Sequence, residues 1–269
     1  MTELTQIGVT DARGRPHVGP ARRIVSLVPS WTELFFELGA ADRVVGVTEY
    51  CVHPGEARRR CAQVGGTKTP DLASILALCP DLVVANREEN RKLDVERLER
   101  EGAPVFVSYA RTVIEAAREI RELGRLVGAG VAAERIALEV EAELALGPFV
   151  TDPICVAALI WKNPYMAIGG DCFANDLLSH CGARNPFVNA PRRYPHVSVA
   201  ELCAARPEVV LLPTEPYVFD EADRRELLAL DCPAARTGRV EIIEGELLTW
   251  YGPRIPRALR TLRRLLAQG

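Results

Sequence analysis

The chain has 269 residues, 48% of them hydrophobic and 26% charged, with a formal net charge of −3. That length supports one large domain or two lobes, and the near-balanced charge gives no electrostatic footprint for nucleic acid or an anionic membrane. No run of roughly 18 apolar residues occurs, so no spanning helix and no membrane insertion are expected.

Residues 1–21 read as a polar leader without the apolar stretch of a secretory signal or a lipobox cysteine, so a cytoplasmic location is expected. Arg23–Leu27 reads as a short strand, and Val28-Pro29-Ser30 turns the chain. Ser30 and Glu33 have capping-box spacing for a helix over Trp31–Leu38, closed by Gly39. Val44–Val47 is a second strand, running into Glu49-Tyr50-Cys51. The loop Val64–Pro70 leads to Ile75-Leu76-Ala77-Leu78-Cys79-Pro80-Asp81-Leu82-Val83-Val84-Ala85. This phrase is a short amphipathic helix, a stopping proline, an acid and a buried β-branched strand. Asn86–Asn90, a charged helix and a strand over Val105–Ser108 complete a βαβ series with a parallel sheet.

Thr112–Leu146 is helix-forming apart from Gly124 and Gly128-Ala129-Gly130, and its second piece, Val131–Leu146, is long enough to link two lobes. The plan then repeats. Ile154–Ile160 is a strand and Phe173–His180 a helix. Leu202-Cys203-Ala204-Ala205-Arg206-Pro207-Glu208-Val209-Val210-Leu211-Leu212 restates the earlier phrase. Val240–Ile243 is a strand and Arg257–Ala267 a terminal amphipathic helix. The expected fold is therefore α/β, with two Rossmann-like lobes of parallel strands bridged by one long helix. Its divisions are 1–21, an N-terminal lobe over 22–124, a bridge over 125–148 and a C-terminal lobe over 149–269.

Eight cysteines occur without a CxxC pair, and Cys79, Cys155 and Cys203 sit in apolar patterns, which suits small core residues in a reducing compartment. No Ser-His-Asp signature, GxGxxG, P-loop or HExxH is present, so no catalytic residue and no catalytic cofactor are assigned.

The stretch Arg23–Ser30 with Thr32-Glu33, the strand at 45–47 and ILALCPDLVVA resemble the class III periplasmic binding proteins for cobalamin, haem and iron–siderophore complexes. NPYMAIGG, LLSHCGARNPF, VSVAELCAARPEVVLL and WYGPRIPRAL follow in the family's order, so the resemblance covers about residues 22–268. It is strongest to the cobalamin-binding members. The resemblance implies two α/β lobes joined by a helix, with a metal chelate held between them for an ABC permease. The family commonly places a docking Glu after Asp-Leu in the first repeat helix; here that position is Ala73, which puts permease docking in doubt.

Ligands of parallel α/β sheets sit beyond the carboxyl ends of strands. Those ends supply Ser30 and Trp31, Tyr50, Glu88 and Glu89, Tyr165, Tyr194, Glu215, and Trp250, Tyr251 and Arg254. Trp31 is either an aromatic pocket wall or the apolar start of a packed helix. The family match makes Tyr50, Tyr165 and Trp250 pocket aromatics, while a second tryptophan of the cobalamin site is replaced by Gly66-Thr67-Lys68. Cys51 and His53 read either as axial metal ligands or as structural residues. Glu88 and Glu89 bind a ligand amide or cation, or belong to a solvated face. A corrinoid, with many neutral amides, suits aromatics mixed with both charge signs better than an anionic siderophore or haem does. Non-catalytic corrinoid or related chelate binding in the inter-lobe cleft is the first expectation. A metal-ion carrier or metal-dependent enzyme using Cys51, His53, Glu88 and Glu89 is the alternative.

Overall fold

The computed structural model describes residues 7–268. They form two compact α/β units. The first comprises residues up to Ala110, Ile114–Glu139 and Tyr251–Pro253; the second comprises Arg111–Val113, Val140–Trp250 and the segment from Arg254 onward.

The first unit opens with β1 (Ile7–Thr10) and β2 (Pro16–Gly19), an antiparallel hairpin where the sequence suggests only a leader. Residues 1–6 of that leader lie outside the described residues. Asp11 builds the turn: its carboxylate accepts the backbone N–H groups of Arg13 (2.8 Å) and Arg15 (3.0 Å). There follow β3 (Ile24–Ser26), α1 (Pro29–Glu37), β4 (Val44–Val47), α2 (Ala57–Arg60), β5 (Ala62–Gln63) and α3 (Leu72–Ala77). Next come β6 (Leu82–Asn86), α4 (Lys92–Arg100), β7 (Val105–Ser108) and α5 (Val113–Leu126). The sheet order is β5-β4-β3-β6-β7, every pairing parallel. Both faces are covered, so β6 reads as an unbroken buried run rather than an alternation.

α1 begins two residues earlier than the capping-box reading. Val28 is its N-cap, no side chain caps it, and Ser30 lies inside the first turn. Pro29, at the first helical position, has no N–H to satisfy and sets φ for the turn, so the helix starts without a Ser cap. α6 (Gly130–Leu146) follows the turn at Gly128, and a methyl group on Gly124 would run into the Ala133 methyl. The two helices therefore meet at a glycine. The division between units falls within α6, after Glu139.

The second unit holds β8 (Ile154–Trp161), β9 (Met166–Ala167), α7 (Phe173–His180), β10 (Ala183–Arg184), α8 (Val199–Ala204) and β11 (Val209–Pro213). It continues with α9 (Glu221–Leu228), α10 (Pro233–Thr237), β12 (Val240–Ile243), α11 (Glu246–Thr249) and α12 (Ile255–Ala267). Its parallel order is β10-β8-β11-β12, with β9 antiparallel on β8.

The repeated phrase has a physical reason. In both copies the residue before the proline takes a left-handed backbone, Cys79 at φ 45° and Arg206 at φ 50°. The acid after the proline then ties the neighbouring strand. Asp81 accepts the N–H groups of Arg22 (2.8 Å) and Arg23 (2.8 Å), and Glu208 accepts that of Cys155 (2.8 Å). Each acid accepts backbone N–H groups at the start of a neighbouring strand.

Candidate functional site

Because all five strands of the first sheet are parallel, their carboxyl ends share one edge. Tyr50 stands there with 56% of its surface exposed. A Cβ on Gly66 would lie 3.2 Å from the Tyr50 ring and 3.0 Å from a Glu49 carboxylate oxygen. The glycine thus leaves the phenol ring and the acid room to lie beside the loop that follows β5. Lys68 donates to the Glu88 carbonyl oxygen. The Arg87 guanidinium lies 4.7 Å from the centre of the Tyr109 ring.

Glu88 and Glu89 are half-buried, their backbone N–H groups donating to Asn86 Oδ1 at 2.8 and 3.3 Å. Asn86 and Asn90, which the sequence places at this strand end without a role, hold it together. Asn90 Oδ1 accepts the Asn86 N–H (2.7 Å), and Asn90 Nδ2 donates to the Thr67 carbonyl (2.9 Å), joining two strand-end loops. Their signal was available: an Asn closing a strand and another four residues on, each able to stand in for backbone in a turn.

Trp31 is a correction. It has no exposed surface, its Nε1–H donates to Ser108 Oγ (2.8 Å), and Tyr251 stacks on it at 5.6 Å with an interplanar angle of 22°. Trp31, with no accessible surface, is a pillar of the first unit and cannot touch a ligand; Tyr251, stacked on it, is 4% exposed. Ser30 is buried, and its hydroxyl has no hydrogen-bond partner.

Cys51 is likewise enclosed. Its Sγ lies 3.1 Å from Thr32 Oγ1 and 3.3 Å from Thr48 Oγ1. Burial pushes the thiol up, against the pull of those two hydroxyls, so it stays protonated and is a poor metal ligand. His53 is half-buried, and no group of three or more His, Cys, Asp or Glu side chains among the described residues could hold a metal ion. The metal-carrier reading of Cys51, His53, Glu88 and Glu89 has no support in this geometry.

In the second unit, the ends of β11 and β12 bring Glu215 to Thr249, whose hydroxyl donates to the carboxylate at 2.5 Å. Burial pushes the Glu215 carboxyl up, while the Thr249 hydroxyl, the Trp250 indole and the Arg254 charge pull it back. Arg254 lies over the Trp250 ring at 5.1 Å. Trp250 is 6% exposed, so this end presents the half-buried arginine more than the indole. Tyr165 is 8% exposed and its hydroxyl donates to Glu226 (3.0 Å). Burial, then that carboxylate, push the phenol up to about 12. Lys162 joins the same group through Asp223 (2.7 Å), which raises its ammonium above the ordinary lysine range. These contacts pin α9 against the end of β8. The ring exposed there is Trp161, 43% accessible and edge-on to Tyr217 at 5.7 Å. Tyr194 is half-buried in the loop between β10 and α8.

Residues 24–246 match the periplasmic binding protein family model. The chain belongs to this family, in its class III branch. It is a binding protein and not an enzyme, as expected from its motifs. A vitamin B12-binding protein of Vibrio parahaemolyticus is 25% identical over 246 residues, 90% of this chain and 87% of that one. One from Vibrio campbellii is 29% identical over 197 residues, 71% and 70% of the two chains. Among solved structures, the periplasmic vitamin B12-binding protein of Vibrio cholerae superposes with a TM-score of 0.80, covering 92% of this chain and 97% of its own, at 23% identity. A periplasmic haem-binding protein from Roseiflexus gives 0.79, covering 91% and 97%, at 25% identity. The likeness to the Vibrio cholerae structure carries the fold: two α/β lobes with parallel sheets. Among the described residues, no helix is long and apolar enough to cross a membrane.

Proposed function

We propose that this chain binds a corrinoid, or a related metal chelate, at the carboxyl ends of its parallel strands, as cargo and without chemistry. The observation that carries the reading is the exposed Tyr50 ring laid over Gly66 at a sheet's carboxyl edge, among charges of both signs. A flat phenol face suits a flat macrocycle, and Glu49, Lys68, Arg87 and Glu88 offer donors and acceptors to peripheral amides rather than a cationic cluster for an anion. The names of the B12-binding relatives point the same way. In the second unit, Arg254, Glu215, Tyr194 and Trp161 are the side chains assigned to the ligand. Permease docking is not assigned: Ala73, exposed on α3, brings no charge to such a contact.

Absorbance titration of the purified protein with cobalamin, cobinamide and haemin tests this. Saturable spectral change with the two corrinoids is expected. Binding of haemin alone would reassign the ligand to a porphyrin, and no response to any of the three would defeat the proposal.

A further inference from the structure

Six of the eight cysteine sulfurs are already engaged. Cys51 lies against two threonine hydroxyls, and Cys61, Cys79, Cys155, Cys172 and Cys181 donate to backbone carbonyls. Cys203 and Cys232 carry free thiols that donate to no described acceptor. They are also neighbours. Cys203 sits in the last turn of α8, Cys232 is the N-cap of α10, and both pack into the core cluster that holds Val210 and Leu212 of β11.

The two helix ends are tied together. Ala234 N–H donates to the Pro207 carbonyl (2.9 Å) just past α8, and Arg236 Nε holds the Asp231 carboxylate at 3.1 Å. The Asp231 backbone N–H then faces the Cys203 sulfur, one residue from Cys232. Burial pushes the Cys203 thiol up, Cys232 and Asp231 add to that, and the Asp231 N–H pulls it back. Cys203 is half-buried and Cys232 is 2% exposed, so a reagent in solution meets Cys203 first. Cys51 and Cys61 also sense one another, but both are buried and their thiols are held by Thr32, Thr48 and the Val44 carbonyl.

We propose that Cys203 and Cys232 are a redox pair that closes into a disulfide on meeting a low-molecular-weight disulfide. The Cys203 thiolate attacks the external disulfide and releases one external thiolate. Cys232 gives up its proton, attacks the Cys203 sulfur and releases the second. Two protein thiols become one disulfide, and one external disulfide becomes two thiols. The link fastens α8 to α10 at the entry to β11, whereas Glu215 lies past its exit, so the proposal stands whether or not the corrinoid reading holds.

Oxidised glutathione at pH 8.5 tests it on the full chain in a Cys79→Ser background, which removes the exposed thiol. Two thiols should be lost without retained glutathione, and a proteolytic map should show one peptide pair joined through Cys203 and Cys232. The melting temperature should rise by roughly 5–10 °C and fall back with dithiothreitol. Cys232→Ser should stop at one glutathione on Cys203, and Cys203→Ser should lose no thiol. The same peptide map on the wild-type chain reads the pair without any substitution. Glutathione kept on Cys203 beside a reduced Cys232, a link to any other cysteine, or no loss of thiols would overturn the proposal.

Discussion

The Arg254 guanidinium lies 5.1 Å from the centre of the Trp250 ring, one turn past the end of α11, with the buried Glu215 carboxyl sharing its field. The indole is the seat and the arginine is what the seat presents. If Arg254 meets a polar edge of the ligand, Arg254→Gln removes a charged hydrogen bond and weakens corrinoid binding by about tenfold to a hundredfold. Trp250→Leu weakens it too, although the arginine remains, because the guanidinium loses its support. Unchanged midpoints in absorbance titrations of both variants would remove this pair from the binding surface.

Tyr50 gives the opposite signature. Its ring is more than half exposed, so Tyr50→Ala should leave folding stability within about 0.5 kcal/mol of wild type. Corrinoid affinity should fall about tenfold, as for an aromatic contact at a binding surface. Denaturant unfolding and absorbance titration on one preparation separate the two effects.

Trp31 behaves as a core residue. Trp31→Ala removes the stack on Tyr251 and orphans part of the Ser108 hydroxyl's bonding, at a cost of about 3–5 kcal/mol. Trp31→Phe keeps a ring and costs less. Urea midpoints of the two variants check the order; a stability change near zero for the alanine would contradict the pillar assignment.

The contrast between Tyr50 and Trp31 marks where sequence reading ends. Both follow strands, and both satisfy the rule that ligands lie past carboxyl ends. What separates them is Ser108 and Tyr251, distant in the chain, which close over Trp31 and leave Tyr50 open. The repeated helix–proline–acid–strand phrase was legible because it is local, patterned and apolar. The left-handed Cys79 and Arg206 within it were not, since non-glycine residues seldom adopt that conformation and the residue before proline usually extends. The hairpin over 7–19 escaped because its strands are short and its turn is held by one Asp11 carboxylate rather than by Asn-Gly chemistry.

Glu119 should make stability depend on pH. Its Oε1 accepts the Tyr109 N–H (2.6 Å), its Oε2 has no partner, and burial, with Glu122 and Glu115 adding like charge, lifts the carboxyl to about 8. A group whose folded value is raised stabilises fully below its unfolded value near 4.5, and that contribution is lost as pH climbs towards 8. Glu119→Gln keeps the acceptor for Tyr109 and cannot ionise. Its stability relative to wild type should therefore rise between pH 5 and 8, by roughly 1.4 kcal/mol per pH unit at most. Melting temperatures of both proteins across that window test this; parallel curves would show that Glu119 ionises freely.

Arg263 supplies the most severe prediction. It has no exposed surface, and among the described residues its carboxylate partner is Glu143: Nη1 donates to the carboxylate at 3.0 Å and Nη2 to the Glu143 carbonyl at 2.7 Å, while Nε donates to the His180 carbonyl at 3.4 Å. Arg260 donates to the other Glu143 carboxylate oxygen at 2.7 Å, so one carboxylate serves two guanidinium groups. Glu143→Ala leaves a buried guanidinium without its counter-ion, at a cost of about 3–5 kcal/mol. Glu143→Leu with Arg263→Met removes both charges and keeps volume, so the desolvation penalty disappears with the attraction that offset it. The double variant should recover most of the lost stability, and Arg263→Met alone should cost less than Glu143→Ala because Glu143 keeps Arg260. Denaturant unfolding of the four proteins decides it. If the double variant is as unstable as Glu143→Ala, the loss comes from packing at the junction of α6 and α12 rather than from the unpaired charge.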